Sequence, residues 1–370
     1  MNDIINGGVH SVSNSRRPSK SKNKIATISK NEHDTTASAK GAKKAKGKLS
    51  TVSATSRRSA TSRKSATSRR SATSNGDLPV LCISDNKLTS NKLKKQILIN
   101  TCDLIDFGGN SWILEGNSQH ITYAIKAIIT TDMQKNKEEI KIMKKTSKLL
   151  ERNKTRHFVK MYDYLFCSDN KLLLDNGTEL SFNILMIMKR YRGHIVGLLF
   201  DDSIQLDLKK NIYAQVYLSL LSYHHFFNLL HNDAKPANFF YEVRLDYNED
   251  QYYKYIIIIN GVKYEVYLKA SKYHVVIGDY GESTKSFDKS ELKEDFAIIE
   301  EIGFKNRFFS VVRAIDKNDP KFKKLTPYQQ YVFDLIHSTD LFDMEPKPNI
   351  IKIYSINTDQ KMFGGRRKLK

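Results

Sequence analysis

Residues 231–238 read HNDAKPAN, and this stretch decides how the rest of the chain is interpreted. Its Asp233 is followed two positions later by Lys235 and five positions later by Asn238. The preceding residues, 208–228, form a long and largely apolar segment that predicts a helix. A carboxylate, an ammonium and an amide at this spacing, on a loop after a helix, indicate a chemical site. A plain polar turn after the helix is the competing interpretation.

The stretch matches the protein-kinase catalytic loop H-R-D-x-K-x-x-N at every position except the arginine, where Asn232 stands. The chain therefore resembles the protein kinase superfamily over about residues 98–340. The resemblance implies that Asp233 accepts the proton of a substrate hydroxyl and that Lys235 faces the transferring phosphoryl group. It also implies that Asn238 holds a magnesium ion.

Three further residues stand in the order that such a fold requires. Lys126 ends a strand-like segment that resembles the V-A-I-K motif, whose lysine pairs the phosphates of ATP. Glu139, or else Glu138, resembles the helical glutamate that orients this lysine. Asp279 opens Asp-Tyr-Gly, similar to D-F-G, and would bind magnesium. Taken singly, these residues are also consistent with a buried strand lysine, a solvated helix face and a turn.

Four residues are the expected contacts of the nucleotide, so ATP with Mg²⁺ or Mn²⁺ is the implied cofactor. Gly108 and Ser111 stand where the family has a glycine-rich loop, although only Gly108 keeps a glycine there. Met188 and Tyr191 belong to a segment that resembles the hinge beside the adenine. Because the glycine pattern is weak, we expect the backbone of this loop to bind the phosphates more weakly than in the family.

Other features depart from the family. Because Asn232 replaces the arginine that pairs with a phosphorylated loop, we do not expect activation by loop phosphorylation. No A-P-E follows Gly281, and residues 294–297 already resemble the start of the next family helix. The platform that receives a protein substrate is therefore expected to be truncated or rebuilt.

The formal net charge of +21 lies mainly in two tails. Residues 1–75 hold 17 basic and 3 acidic side chains, residues 76–360 hold 39 and 37, and residues 361–370 hold 5 and none. Residues 76–360 are the body of the chain, and their near-neutral charge argues against a basic face on this body. It favours binding of DNA, RNA or another polyanion through residues 1–75.

The chain before Phe107 contains no aromatic residue, and we expect residues 1–75 to be disordered. Residues 53–74 repeat the unit SATS with basic pairs between, which predicts autophosphorylation at Ser59, Ser65 or Ser71. The other predicted parts are residues 76–188 as a small lobe, residues 189–355 as a large lobe and residues 356–370 as a basic tail.

The sequence offers no membrane span and no secretion signal, and its three cysteines stand far apart, which fits a reducing compartment. The chain is rich in Asn, Ile, Lys and Tyr, which are residues with AT-rich codons. This bias and the basic tail resemble those of kinases of large cytoplasmic DNA viruses. Tyr280, in place of the phenylalanine of D-F-G, resembles the vaccinia-related kinases, and Asn238-Phe239 resembles the casein kinase 1 group. We therefore expect an intracellular protein of the host cytoplasm or viral factory that is also packaged in the virion.

Local patterns predict an α+β protein with two lobes, the first rich in strands and the second mostly helical. Strands are predicted near residues 94–105, 111–115, 121–129, 158–166 and 182–188, a helix over 135–150, and a hairpin around Asn260-Gly261. The expected activity is a serine/threonine protein kinase acting on basic Ser/Thr-rich proteins or on its own tail. The alternatives are a small-molecule phosphotransferase and a catalytically weak nucleic-acid-binding virion protein.

Overall fold

The structure is a computed structural model that describes residues 82–108, 111–130, 132–285, 288–301 and 313–359. The predicted tail, residues 1–75, lies outside the described residues, as do residues 360–370. The described part is a mixed α+β protein, as the α+β part of the prediction states.

A seven-stranded antiparallel sheet forms the N-terminal part, with the strand order β1-β2-β3-β4-β5-β7-β6. Residues 184–187 of its strand β7 (Glu179–Lys189) are completely buried, because helix α1 (Met133–Glu151) and the C-terminal part cover one face and the curled sheet covers the other. The strands are β1 (Ile83–Ser84), β2 (Lys87–Ser90), β3 (Lys95–Gly108), β4 (Ser111–Ser118), β5 (Ile121–Ile128), β6 (Met161–Leu173) and β7 (Glu179–Lys189).

The two edges of this sheet meet, so that it curls around its own apolar core. Ser90 Oγ on β2 donates to Asp163 Oδ2 on β6 at 2.6 Å. Cys82 forms a disulfide with Cys167 of β6 across 85 positions of sequence. The sequence interpretation of separate cysteines is therefore wrong for this pair, because sequence distance does not report where two strands lie. Cys102 is exposed and takes no part in this disulfide.

Helix α1 (Met133–Glu151) packs one face against β6 and begins at a well-defined cap. The Asp132 carboxylate accepts hydrogen bonds from the backbone N–H groups of Gln134 and Lys135, at 3.1 and 3.0 Å. The buried face includes Ile140 and Met143. This confirms the amphipathic helix predicted over residues 135–150.

The C-terminal part begins with α2 (Ile195–Phe200) and the long, mostly buried helix α3 (Leu206–Phe227). Two small sheets flank the polar loop at residues 231–238. The first consists of β8 (Gly193–His194), β10 (Phe239–Val243) and β13 (Tyr273–Ile277). The second consists of β9 (Leu229–Leu230) and β14 (Thr284–Lys285). A 3₁₀ helix, Pro236–Asn238, ends the loop.

A third sheet contains the predicted hairpin, β11 (Tyr252–Ile259) and β12 (Val262–Lys269), with β15 (Ile350–Asn357) parallel to β11. The turn residues Asn260 and Gly261 have φ values of 48° and 77°, as expected for an Asn-Gly turn. The Asp359 carboxylate accepts from both of their N–H groups, at 2.5 and 2.6 Å. Residues 356–359, which we assigned to the C-terminal tail, thus lie in this sheet and at its turn.

The remaining helices are the 3₁₀ helix Lys289–Lys293, α4 (Glu294–Glu301), α5 (Pro320–Lys323) and α6 (Pro327–Ser338). The prediction that the second lobe is mostly helical is therefore only partly correct, because strands β8 to β15 lie among its helices. None of the helices in the described ranges is both long enough and apolar enough to cross a membrane.

Candidate active site

Lys126 lies between two carboxylates that come from distant parts of the chain. Its Nζ is 2.8 Å from Glu139 Oε1 on α1 and 2.8 Å from Asp279 Oδ1 after β13. The side chains of Lys126 and Glu139 are 13% and 5% exposed. Glu138, the alternative partner, is 54% exposed and pairs with Lys141 instead. Because consecutive helical residues point about 100° apart, only one of the two glutamates can face β5.

The two carboxylates determine the charge of the group. Burial alone would lower the pKa of Lys126, but the negative charges of Glu139 and Asp279 outweigh burial and raise it above its usual value. The Lys126 ammonium in turn holds the pKa of Asp279 below its usual value, against the effect of burial. Lys126 therefore carries a positive charge near neutral pH, which a polyanionic ligand requires, and Asp279 is ionised beside it.

The backbone around Asp279 is tightly packed and has an unusual conformation. Asp279 has φ of 57°, a left-handed conformation that is costly for a residue with a side chain. The preceding Gly278 has no room for a side chain, because a Cβ there would lie 2.6 Å from Val159 Cγ2. Tyr280 is buried, donates to the Ile277 carbonyl at 2.6 Å and stacks on Tyr223. The packing thus fixes the direction of the Asp279 carboxylate.

Asp233, Lys235 and Asn238 form a second group on the loop between β9 and β10. Asn238 Nδ2 donates to Asp233 Oδ2 at 2.8 Å, and Lys235 Nζ lies 2.9 Å from the same oxygen. The hydrogen bond to Asp233 raises the pKa of Lys235. The backbone N–H of Gly278 donates to the Asn238 carbonyl at 3.0 Å, which places the two groups side by side.

Asp295, in the first turn of α4, holds the backbone of this loop, a role that the sequence did not reveal. Its carboxylate accepts from the N–H groups of His231 and Asn232 at 2.7 and 2.8 Å, and lies 2.9 Å from His224 Nε2. Asp295 is 1% exposed. The available signal was an acidic residue beside the apolar Phe296, but that pattern also fits an ordinary helix start.

Asn232 connects the loop to the segment that follows Gly281. It has φ of 62°, and its Nδ2 donates to the Glu282 carbonyl at 2.9 Å and to Thr284 Oγ1 at 2.7 Å. This neutral side chain stands where the kinase motif has an arginine.

Three of the four predicted nucleotide contacts lie on strands of the sheet that contains Lys126, and the fourth, Tyr191, follows the end of β7. Gly108 and Ser111 are paired at the end of the β3–β4 hairpin, whose turn, residues 109–110, lies outside the described residues. Met188 of β7 pairs with Ala124 of β5, two positions before Lys126. Tyr191 is buried, and its hydroxyl accepts from the Lys160 N–H at 3.3 Å.

Across the described ranges, no cluster of three or more His, Cys, Asp and Glu residues is suited to hold a metal ion by itself. Asp279 and Asn238 nevertheless fit a magnesium ion shared with a phosphorylated substrate. Magnesium prefers oxygen ligands and is commonly held by one or two carboxylates together with substrate phosphates. Because both described hydrogen bonds of the Asn238 side chain use Nδ2, its oxygen is left for such a ligand.

A comparison of the chain with protein-family models found no match. The chemistry of the site therefore rests on the geometry of these residues.

Proposed function

We propose that the chain is an ATP-dependent serine/threonine protein kinase with a two-lobed, kinase-like fold. The observation that carries the proposal is the position of Lys126, which lies within 2.8 Å of both Glu139 and Asp279 beside the Asp233 loop. Such a group binds and orients the phosphates of a nucleotide in this superfamily. The strand-rich part before residue 190 and the more helical part after it also support the proposal.

Asp233 is the group that would accept the proton of the substrate hydroxyl. Its Oδ2 is engaged by both Asn238 and Lys235, and no hydrogen bond of the described residues uses Oδ1. The carboxylate is therefore oriented by one oxygen and can accept a proton at the other. The side chain is 28% exposed, so a hydroxyl can reach it.

Lys235 and Lys126 supply positive charge around the phosphoryl group. The Lys235 side chain is 51% exposed, and its raised pKa keeps it protonated at neutral pH. A magnesium ion held by Asp279 and Asn238 would neutralise phosphate charge when bound. The chain itself orients the acceptor and excludes alternative positions of the phosphates.

Phosphate transfer from labelled ATP to a basic Ser-rich peptide tests the proposal. We expect Asp233→Asn and Asp279→Asn each to lower the rate at least about 100-fold, because each removes a group that acts in the transfer. Asp250→Asn is the matched control, since Asp250 is exposed and lies in the turn before β11, outside the described hydrogen bonds and ion pairs of the site. Nucleotide binding without any transfer by the unchanged protein would overturn the proposal.

A small-molecule phosphotransferase is the second candidate function. The observation that favours it is the short connection between Gly281 and α4, which consists of residues 282–293 and includes a 3₁₀ helix. Little chain is available there to receive a protein substrate. Transfer to small hydroxyl compounds but to no peptide, in the same assay and with the same variants inactive, would favour this candidate.

A further inference from the structure

A cleft of about 440 Å³ lies between the exposed face of α1 and strand β6, on the opposite side of α1 from Glu139. None of the eight residues that line it is acidic. They are five lysines and three largely apolar residues: Lys137, Lys141, Lys144, Lys145, Lys148, Ile140, Tyr164 and Phe166. The cleft belongs to no part of the proposed active site.

The five lysines form one row along the helix. Lys137, Lys141, Lys144 and Lys148 follow one another at three or four residues, and Lys145 is four residues after Lys141, so all five lie on the same side of the helix over a length of about 16 Å. Among the described residues, only Lys141 of the five takes part in an ion pair, with Glu138 at 3.1 Å. Four ammonium groups beside the cleft therefore have no carboxylate to neutralise them.

Two of the lysines are held by aromatic rings. Lys144 Nζ lies 4.6 Å from the centre of the Tyr164 ring and donates to its hydroxyl at 3.0 Å. Lys145 Nζ lies 4.3 Å from the centre of the Phe227 ring, and burial lowers its pKa. These contacts orient the ammonium groups without cancelling their charge.

The near-neutral total charge of the body conceals this concentration of positive charge. Residues 132–160 hold ten Lys and Arg side chains and four Asp and Glu side chains. The rest of residues 76–360 then holds 29 basic and 33 acidic side chains. The sequence-based argument against a basic face in the body is therefore wrong at this helix.

We propose that this cleft binds single-stranded nucleic acid, with phosphates along the lysine row and a base against the half-buried rings of Tyr164 and Phe166. A positive groove with aromatic side chains is the usual means of holding a single strand. The cleft is too small to admit a duplex. An acidic peptide is less well matched, because the lining side chains include no amide or carboxylate to pair with a peptide backbone.

Binding of a fluorescent single-stranded oligothymidylate to the full chain, measured over a range of salt concentrations, tests the proposal. We expect Lys137→Gln/Lys148→Gln, at two lysines of the row without an ion pair, to weaken binding and to reduce the slope of log K against log salt by about 1.4, or about 0.7 for each lost phosphate contact. The matched control is Lys92→Gln/Lys263→Gln, which removes the same charge at two exposed positions outside the cleft. Equal thermal stability of the two variants would show that both are folded.

Each other outcome overturns the proposal. Equal slopes and affinities for the two variants would show that the cleft does not bind nucleic acid. An equal loss for a duplex of the same length would make the row a general phosphate surface. If the cleft variant lost binding of labelled poly-glutamate and kept binding of oligothymidylate, the cleft would be a peptide site. The basic tail is present in every variant, so the comparison reports the body alone, and it does not depend on phosphoryl transfer.

Discussion

Asn232 holds its loop through an amide and a left-handed backbone. Its Nδ2 contacts Glu282 and Thr284, and Asp295 accepts its N–H. A connection made by a neutral amide needs no added phosphate to form. This supports the expectation that phosphorylation of the segment after Gly281 is not needed for activity.

Two substitutions of Asn232 separate the contribution of its side-chain hydrogen bonds to stability from that of its left-handed backbone. Asn232→Gly keeps the backbone conformation and loses the side-chain hydrogen bonds, at a cost of about 1–2 kcal/mol in the free energy of unfolding. Asn232→Ala also forces a Cβ into the left-handed region and should cost about 1 kcal/mol more. Urea denaturation of both variants measures the difference.

Asn153 provides the control for these substitutions. It is exposed and also left-handed, with φ of 53°. Asn153→Gly should leave stability nearly unchanged, while Asn153→Ala should show the backbone cost alone. If Asn232→Gly were as stable as the unchanged protein, the hydrogen bonds of Asn232 would not stabilise the loop.

Strands β1 and β6 are joined by the Cys82–Cys167 disulfide at the meeting edges of the large sheet. A bond that closes a loop of about 85 residues restricts the unfolded chain, and such bonds typically contribute about 2–5 kcal/mol. We expect Cys82→Ser/Cys167→Ser to lower the free energy of unfolding by an amount in this range without reductant. Cys102→Ser, at the exposed cysteine outside this disulfide, should have little effect.

The same denaturation experiment is repeated with reductant present. With the disulfide reduced, the unchanged protein and the double variant should unfold at nearly the same urea concentration. Identical stability of the two proteins without reductant would mean that the bond does not form in solution.

Local patterns predicted the elements because helices and strands depend on residues two to four positions apart. Helix α1, the Asn260-Gly261 hairpin and the three motifs of Lys126, Asp233 and Asp279 were readable for this reason. The disulfide joins residues 85 positions apart, and the pairing of β15 with β11 joins residues about 98 positions apart, and no local pattern encodes either. The choice between Glu138 and Glu139 required the rotation of α1, which a motif does not give.

At the scale of the whole molecule, Glu242 links the N-terminal sheet to the C-terminal part. It pairs with Lys189 at the end of β7 and with His274 Nδ1 at 2.7 Å. Burial would raise the pKa of Glu242, but hydrogen bonds from His274 and Lys189 lower it to about 2. Burial lowers the pKa of His274 to about 4.

Both shifts predict loss of stability in acid. Each group binds protons more weakly in the folded than in the unfolded state, so its contribution is complete above the unfolded pKa and disappears as pH falls. His274 should lose its contribution between about pH 6.5 and 4, and Glu242 between about pH 4.5 and 2.

Glu242→Gln tests this link. We expect a loss of about 1–2 kcal/mol at pH 7, discounted for partial exposure, and a flatter fall in stability below pH 4.5. Chemical denaturation at a series of pH values measures both. The exposed Glu249→Gln is the matched control. A fall below pH 4.5 as steep as in the unchanged protein would exclude Glu242 as its origin.

The tail, residues 1–75, makes a separate prediction for the whole chain. Its deletion removes 17 basic side chains and should lower affinity for DNA or RNA and flatten the salt dependence of binding. Ser59→Ala/Ser65→Ala/Ser71→Ala keeps the charge and should bind normally before incubation with ATP. Unchanged binding after the deletion would assign all nucleic-acid contact to the body.

The parallel pairing of β15 with β11 affects how the protein is made. A ribosome completes the β11–β12 hairpin at Lys269, about 80 residues before β15 begins at Ile350, so the newly made hairpin has an open edge that includes Ile256 and Ile258. Unpaired apolar edges recruit other strands, including those of neighbouring nascent chains. The interval before β15 is synthesised is therefore the period in which this chain most needs a chaperone.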